Sequence, residues 1–413
     1  MNTVKNEVRK MGLSIDENKM ISDNIFAYEE KLKSPVVRYQ ETTPVSVIYF
    51  HINSDVSTTD EGFKDVASII GFRSPLRYNK IDGLPLYDMD PIVLQLNDED
   101  QGLDSDFTSD AKILPNTIKP TANDFFIIPT LHDAYLFRVT SIAYDTVMPD
   151  NFYRIEYKLE YIDQEMINQL EKQVTGSYIC NMDNIGSENK CIIESEVYKR
   201  LEKINELYDD MVNTYLTIFY DERHNSLLGE VSGPWLRLYD PLQTEFINKH
   251  NLFNKKRDFK TIILTEQFPD SKRRIKYEKS VYRFLERRDS TLVNNFKYTL
   301  TSCTVYQDST FARWYDKTVK MAENMPFQMP ESASNIFSDE FVSAIRNNED
   351  TQSAHGELIK KFVRREPLTI KDIPLDLNEE LINLNASLEV FFITPMILYI
   401  IQVLINEELE EKK

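Results

Sequence analysis

The chain has 413 residues, 41% of them hydrophobic, and a formal net charge of -19. This length is more than one compact core normally serves, and 23 Phe with 22 Tyr argue against wholesale disorder. The acidic balance disfavours sequence-independent binding of nucleic acid over the whole surface. Only 10 glycines occur, where average usage would give roughly 30. Phosphate-cradling loops and tight catalytic turns usually need that residue.

Residues 3–33 read as helix, with Val4, Val8, Met11 and Ile15, then Ile21, Ile25, Tyr28 and Leu32, at helical spacing. This helix either docks on its own core or forms an arm on a neighbouring subunit. Ser34-Pro35 ends it. Val36 to Gln40 and Val45 to Ile52 read as strands, and residues 53–90, punctuated by glycine and proline, as a long irregular connection. Ile92 to Leu96 is a further strand. The acidic run after it carries Asp98, Asp104 and Asp106 but lacks the glycine and closing glutamate of a helix-loop-helix calcium loop.

Ala111 to Ile118, Asp124 to Pro129, Ala134 to Ile142 and Asn151 to Ile162 continue the strand series. In the last, Arg154, Glu156 and Lys158 alternate with Ile155, Tyr157 and Leu159, the period of a half-buried antiparallel strand. Six or seven strands between 35 and 163 predict a small antiparallel β-barrel or sandwich. Gln164 to Val174 reads as a short helix, residues 175–190 as a polar loop, and Glu194 to Tyr220 as a long amphipathic helix. Thr261 to Thr265 and Asn295 to Tyr306 read as strands, and Tyr277 to Arg288 as helix or strand. Thr310 to Glu323, Phe341 to Arg346 and Glu357 to Arg364 read as helices. The last element, Glu379 to Lys412, holds VFFITPMILYIIQVLI. Its apolar run is short for a membrane span and contains Pro395, so a buried or subunit-interface helix is expected, with no membrane partner.

The fold class is therefore α+β. Residues 1–34 form a helical arm, 35–165 a barrel or sandwich domain, 166–325 a mixed domain and 326–413 a helical C-terminal region. No histidine or cysteine spacing suggests a zinc site, and no Walker, Rossmann or nucleophile-elbow motif occurs. No catalytic residue, metal or cofactor is assigned. The three cysteines give no disulfide framework, and no signal-peptide pattern follows Met1, so synthesis in a reducing cytoplasm is expected.

One charged feature stands out. Residues 254–288 hold 12 Lys or Arg against 5 Asp or Glu, a net +7 that leaves -26 for the remainder. The candidate partner-contact residues are Lys255, Lys256, Arg257, Lys272, Arg273, Arg274, Arg287 and Arg288. Docking on an acidic surface of another subunit is the favoured reading. Phosphate contact with DNA, aided by interleaved aromatics, and plain solvated charge are the alternatives.

The segment from Lys119, KPTANDFFIIPTLHDAYLFRVTSIAYDTVMPDNFYRIEYKLEYID, together with SPLRYNKIDGLPLYDMD upstream, resembles virion structural proteins of large tailed bacteriophages. The resemblance spans roughly Pro75 to Asp163. It implies a non-enzymatic, oligomeric component of the neck, the head-to-tail connection, the tail or the baseplate. Its implied partners are further copies in a ring and other virion proteins such as the portal. It carries no catalytic residues. The rival class is a divalent-metal hydrolase or nuclease using Asp98, Asp104 and Asp106.

Overall fold

Alternating aromatic and β-branched residues form strands wherever both faces can be covered, and that condition is met repeatedly between residues 45 and 194. The computed structural model describes residues 44–57, 76–89, 108–114, 117–130, 135–147, 150–162, 164–185, 189–222, 225–230, 236–253, 259, 281–288, 304–307, 337–349, 351–384 and 388–410. The chain divides into two compact units, Met1–Tyr198 with Glu410–Lys413, and Lys199–Leu409.

In the first unit the strands are β1 Val45–Ile52, β2 Tyr78–Leu86, β3 Thr108–Ile113, β4 Phe125–Ile127, β5 Tyr135–Val147 and β6 Asp150–Ile162. Helix α1 Gln164–Glu171 follows, then β7 Val174–Cys180 and β8 Ile192–Glu194. They join in the order β3-β6-β5-β4-β1-β2-β7-β8. All pairings are antiparallel except β2 with β7, which is parallel. Just beyond β2, Tyr87 and Lys112 of β3 exchange two backbone hydrogen bonds of 2.8 and 2.9 Å. This bridge closes β1 to β6 into a ring, which removes the edges an open sheet would leave. The α+β class, the barrel and the apolar C-terminal helix are as expected; the N-terminal helical arm lies outside the described residues.

The alternation read from β6 sorts side chains to two faces. Inside the ring pack Val47, Tyr49, Phe126, Phe137, Val139, Ile155, Tyr157 and Leu159. Phe126 stacks on Phe137 at 5.1 Å and meets Tyr157 edge-on at 5.0 Å. On the outer face Phe50, Tyr78, Phe125 and Leu136 are covered by Ile167 and Leu170 of α1. The charged residues of β6 face outward, and Arg154 reaches Asp110 on β3 at 2.7 Å.

Two segments differ from the expected loops. Residues 53–90 contain β2, and residues 175–190 contain all of β7 but its first residue. Gly83 and Pro85 argue locally against a strand, but each sits where the ladder tolerates it. Gly83 is the extra residue of a bulge between Val47↔Leu84 and Ile48↔Asp82, with φ +78°. Pro85 lies past Asp82, where pairing with β7 ends, so its missing N–H leaves no partner wanting. β7 forms because β2 offers it an edge, against its own polar, glycine-containing sequence. The predicted strand 111–118 is instead Thr108–Ile113. The predicted strands at 36–40, 92–96 and 261–265, and the helix at 310–323, lie outside the described residues.

The second unit is mostly helical. It contains most of α2 Ser195–Phe219, then the short strands β9 Tyr220–Asp221, β10 Ser226–Leu227, β11 Gly229–Glu230 and β12 Leu236–Tyr239. After these come α3 Pro241–His250, α4 Val281–Arg287, β13 Thr304–Gln307, α5 Asp339–Asn347, α6 Ala354–Val363, α7 Leu377–Asn383 and α8 Leu388–Leu409. Residues 277–288, open between helix and strand in sequence, contain a helix. Within the span 379–412 the described residues form two helices, the end of α7 and all of α8. Helix α3 starts at Pro241, with the Asp240 side chain accepting from Leu242 N as its N-cap.

Helix α8 is long and apolar enough to cross a membrane by length and composition, and 67% of its most apolar window is buried within the protein. Pro395 lies inside it and cannot donate to the carbonyl four residues back, that of Phe391. The Tyr215 hydroxyl donates to that carbonyl at 2.9 Å, and the Gln243 amide donates to it as well. Both side chains are buried. A defect created by proline is thus satisfied from α2 and α3, which locks three helices together.

Two stability outcomes follow. Gly83→Ala is expected to cost about 1–2 kcal/mol, because the left-handed backbone is strained even though the added methyl meets only ordinary contacts. Urea denaturation of the full chain measures this. Tyr215→Phe is expected to cost on the order of 1–3 kcal/mol, and clearly less when Pro395→Ala restores the helical N–H. A double-mutant cycle reads the coupling, and strict additivity would contradict the satisfaction of Phe391 by Tyr215.

Candidate interaction surfaces

The most densely bonded polar group of the first unit is a buried carboxylate. Asp124, immediately before β4, is fully buried. Its Oδ1 accepts from Ile52 N at 2.8 Å and Thr121 Oγ1 at 2.7 Å. Its Oδ2 accepts from Tyr49 Oη at 2.9 Å, His51 Nδ1 at 2.9 Å and Thr121 N at 2.8 Å. Five donors from β1 and the Thr121 turn therefore converge on one anion, as burying a charge requires. Burial opposes protonation of His51, but the hydrogen bond and charge of Asp124 outweigh it and raise the imidazole above its ordinary value. Burial first, and then the neighbouring carboxylate, push the Tyr49 phenol well up, so its proton stays on as a donor.

This arrangement is a latch between β1 and the turn before β4. Among the described residues no group of three or more His, Cys, Asp or Glu side chains comes together as a metal site. Asp98, Asp104 and Asp106 lie outside those residues. Sequence reading passed over Asp124 because a single acid in a chain with 67 carries little information. The usable signal was T-x-x-D, with threonine and aspartate three apart at a chain turn; Thr369 and Asp372 repeat it.

Of the predicted contact residues, Lys255, Lys256, Arg257, Lys272, Arg273 and Arg274 lie outside the described residues. Arg287 and Arg288 close α4. The Arg287 side chain is exposed. Arg288 is directed into its own unit: it pairs with Glu407 on α8 at 2.6 Å and lies 4.0 Å from the ring centroid of Phe362. Arg365 donates to the backbone carbonyls of both arginines.

The C-terminal end of the basic segment is pinned to the helix that precedes the segment. Glu286 of α4, its side chain 6% exposed, takes Lys249 Nζ and His250 Nε2 of α3 at 2.7 Å each, and Arg283 at 2.7 Å. Asn248 clasps the backbone of Phe259 through both amide atoms, at 2.8 and 3.1 Å. Arg283 and Arg288, at the C-terminal end of the segment, are therefore held by acids of the same unit, an arrangement invisible to a count of charge along the chain.

Replacing Asp124 by Ala would strand the Tyr49 hydroxyl and the N–H groups of Ile52 and Thr121, at a cost on the order of 3–5 kcal/mol. Denaturation of the full chain reads this directly. The raised His51 value has a definite sign. Its stabilisation is complete below the ordinary histidine pKa of about 6.5 and disappears as pH climbs through the raised folded value. Wild-type stability should fall over that window, and His51→Gln should flatten the fall.

Residues 23–194 match the family model described as "Putative phage head-tail joining protein". No curated protein and no solved structure matches the chain. The matched stretch takes in the closed barrel, its Asp124 latch and strands β7 and β8. With the resemblance read from residues 75–163, the match supports a bacteriophage virion structural protein of the neck or connector.

Proposed function

We propose that the protein joins head to tail in a tailed-phage particle without chemistry of its own, by burying large interfaces with further copies in a ring and with other virion proteins. The observation that carries this reading is the family match over residues 23–194, which takes in every described strand of the barrel. A closed barrel with a charged exterior suits a rigid module that presents loops and chain ends to neighbours. The portal, tail and baseplate components are the heterologous partners, with a tail or baseplate position the nearest variant. The chain would be made in the host cytoplasm and end in the virion.

The basic segment 254–288 would contribute by docking on an acidic surface of an adjacent subunit, since the remainder of the same chain supplies that surface at net -26. Lys255, Lys256, Arg257, Lys272, Arg273, Arg274 and Arg287 are the residues proposed to face the partner. Arg288 contributes to folding through Glu407 and Phe362.

Light scattering on the full chain should show a defined oligomer at high concentration, or on adding the adjacent virion protein. Changing Lys272, Arg273 and Arg274 together to Glu should weaken that assembly at least tenfold and remove much of its salt sensitivity. Cross-linking of intact particles should join this chain to head-side and tail-side proteins. Cross-links confined to a distal baseplate would move the assignment there, and a chain absent from particles would end it.

A further inference from the structure

Two helix ends of the second unit meet, and each runs into an arginine with left-handed backbone. Arg288 follows α4 with φ +46°, and Arg365 lies just past α6 with φ +58°. That region strains any residue with a Cβ, and helix ends usually give it to glycine. Arginine is kept here for its side chain. Arg288 reaches Glu407 at 2.6 Å and lies over the Phe362 ring. Arg365 turns to the other helix end. Its Nε donates to Arg288 O at 2.8 Å, and its Nη2 donates to Arg287 O at 3.2 Å. Carbonyls at a helix end have no partner within the helix, so Arg365 caps α4.

The two arginines differ in what they leave over. The charge of Arg288 is met by Glu407. Arg365 is held by carbonyls, which fix a guanidinium without neutralising it. A guanidinium carries five N–H donors in a planar fork. Two are spent here, both on the Nε–Nη2 edge, which leaves three and the whole Nη1–Nη2 edge. Among the described residues no acid pairs with Arg365. Arg365 is exposed, and so is Arg287, whose carbonyl it holds.

A surface arginine normally gives up rotamer freedom when it binds, which offsets what the contact gains. Arg365 has given that freedom up on folding. An unspent pair of N–H groups on a fixed fork matches the two oxygens of a carboxylate.

We infer that Arg365, with Arg287 beside it, is a preset anchor for a carboxylate on the acidic surface of a neighbouring copy. This rests on the docking proposed above, and it adds to that surface a residue from outside 254–288. A protein carboxylate fits better than a DNA phosphate. The chain holds 67 acidic residues against 48 basic ones, so each further copy brings carboxylates, and the acidic bulk repels a polyanion.

The test compares assembly of full-length variants by light scattering over a concentration series, alone and with the adjacent virion protein. The variants are Arg287→Glu, Arg365→Gln, Arg365→Lys, and Lys272, Arg273 and Arg274 changed together to Glu. Thermal unfolding of each sample checks the fold. Arg287→Glu alters an exposed side chain and leaves the carbonyl that Arg365 holds, so it decides the matter even where Arg365→Gln unfolds. Arg287→Glu and Arg365→Gln are each expected to weaken assembly about tenfold. Arg365→Lys, which keeps the charge and loses the fork, is expected to stay weak. Wild-type assembly by folded Arg287→Glu would overturn the anchor. If the triple variant is then still weakened, docking through the basic segment stands. Wild-type assembly by every variant, or a persistent monomer with its virion neighbours, would overturn both. Wild-type assembly combined with lost binding of a short fluorescent DNA duplex would overturn the anchor and assign the two arginines to phosphate.

Discussion

The first unit depends on keeping one negative charge inside protein. An isolated carboxylate out of water is prohibitively costly, and Asp124 is fully buried. Its five donors come from two places far apart in sequence, the C-terminal half of β1 and the turn at Thr121. Satisfying the charge therefore sets where β1 meets β4. Once that register holds, Phe126 falls between Phe137 and Tyr157 inside the ring, and Phe125 falls outside under α1. A shift of one residue would exchange the two faces.

The second unit uses the same logic on a backbone group. Pro395 deprives the Phe391 carbonyl of its helical donor, and Tyr215 and Gln243 supply replacements from two other helices. Buried polar groups that must be paired restrict packing more than apolar contacts do, because an apolar side chain tolerates sliding and a hydrogen bond does not. Glu286, which collects Lys249, His250 and Arg283, imposes a third such restriction at the base of the basic segment.

These devices suit a protein whose work is contact. A barrel closed at Tyr87–Lys112 holds its shape, and the β5–β6 hairpin extends beyond it. The charge on the chain is divided between acids and bases held internally, as at Arg288 and Glu286, and a basic stretch set against an acidic remainder. A neck or connector protein needs a rigid body and separate surfaces for its neighbours.

The sequence by itself determined the strand periodicity of β1, β5 and β6, the amphipathic helix at 195–219 and the burial of α8, because each pattern is local and long enough to repeat. The absence of recognised catalytic motifs and the phage resemblance were legible there too. Only the tertiary structure decided that residues 78–86 and 174–180 are strands, since Gly83, Pro85 and Gly176 weaken them locally and neighbouring strands supply what the segments lack. It alone decided that the sheet closes, because one bridge between residues 25 apart does so. The importance of Asp124, and the inward turn of Arg288, likewise rest on partners distant in sequence. A one-dimensional reading registers charge and periodicity; it cannot register which acid will be surrounded by donors, because folding places those donors.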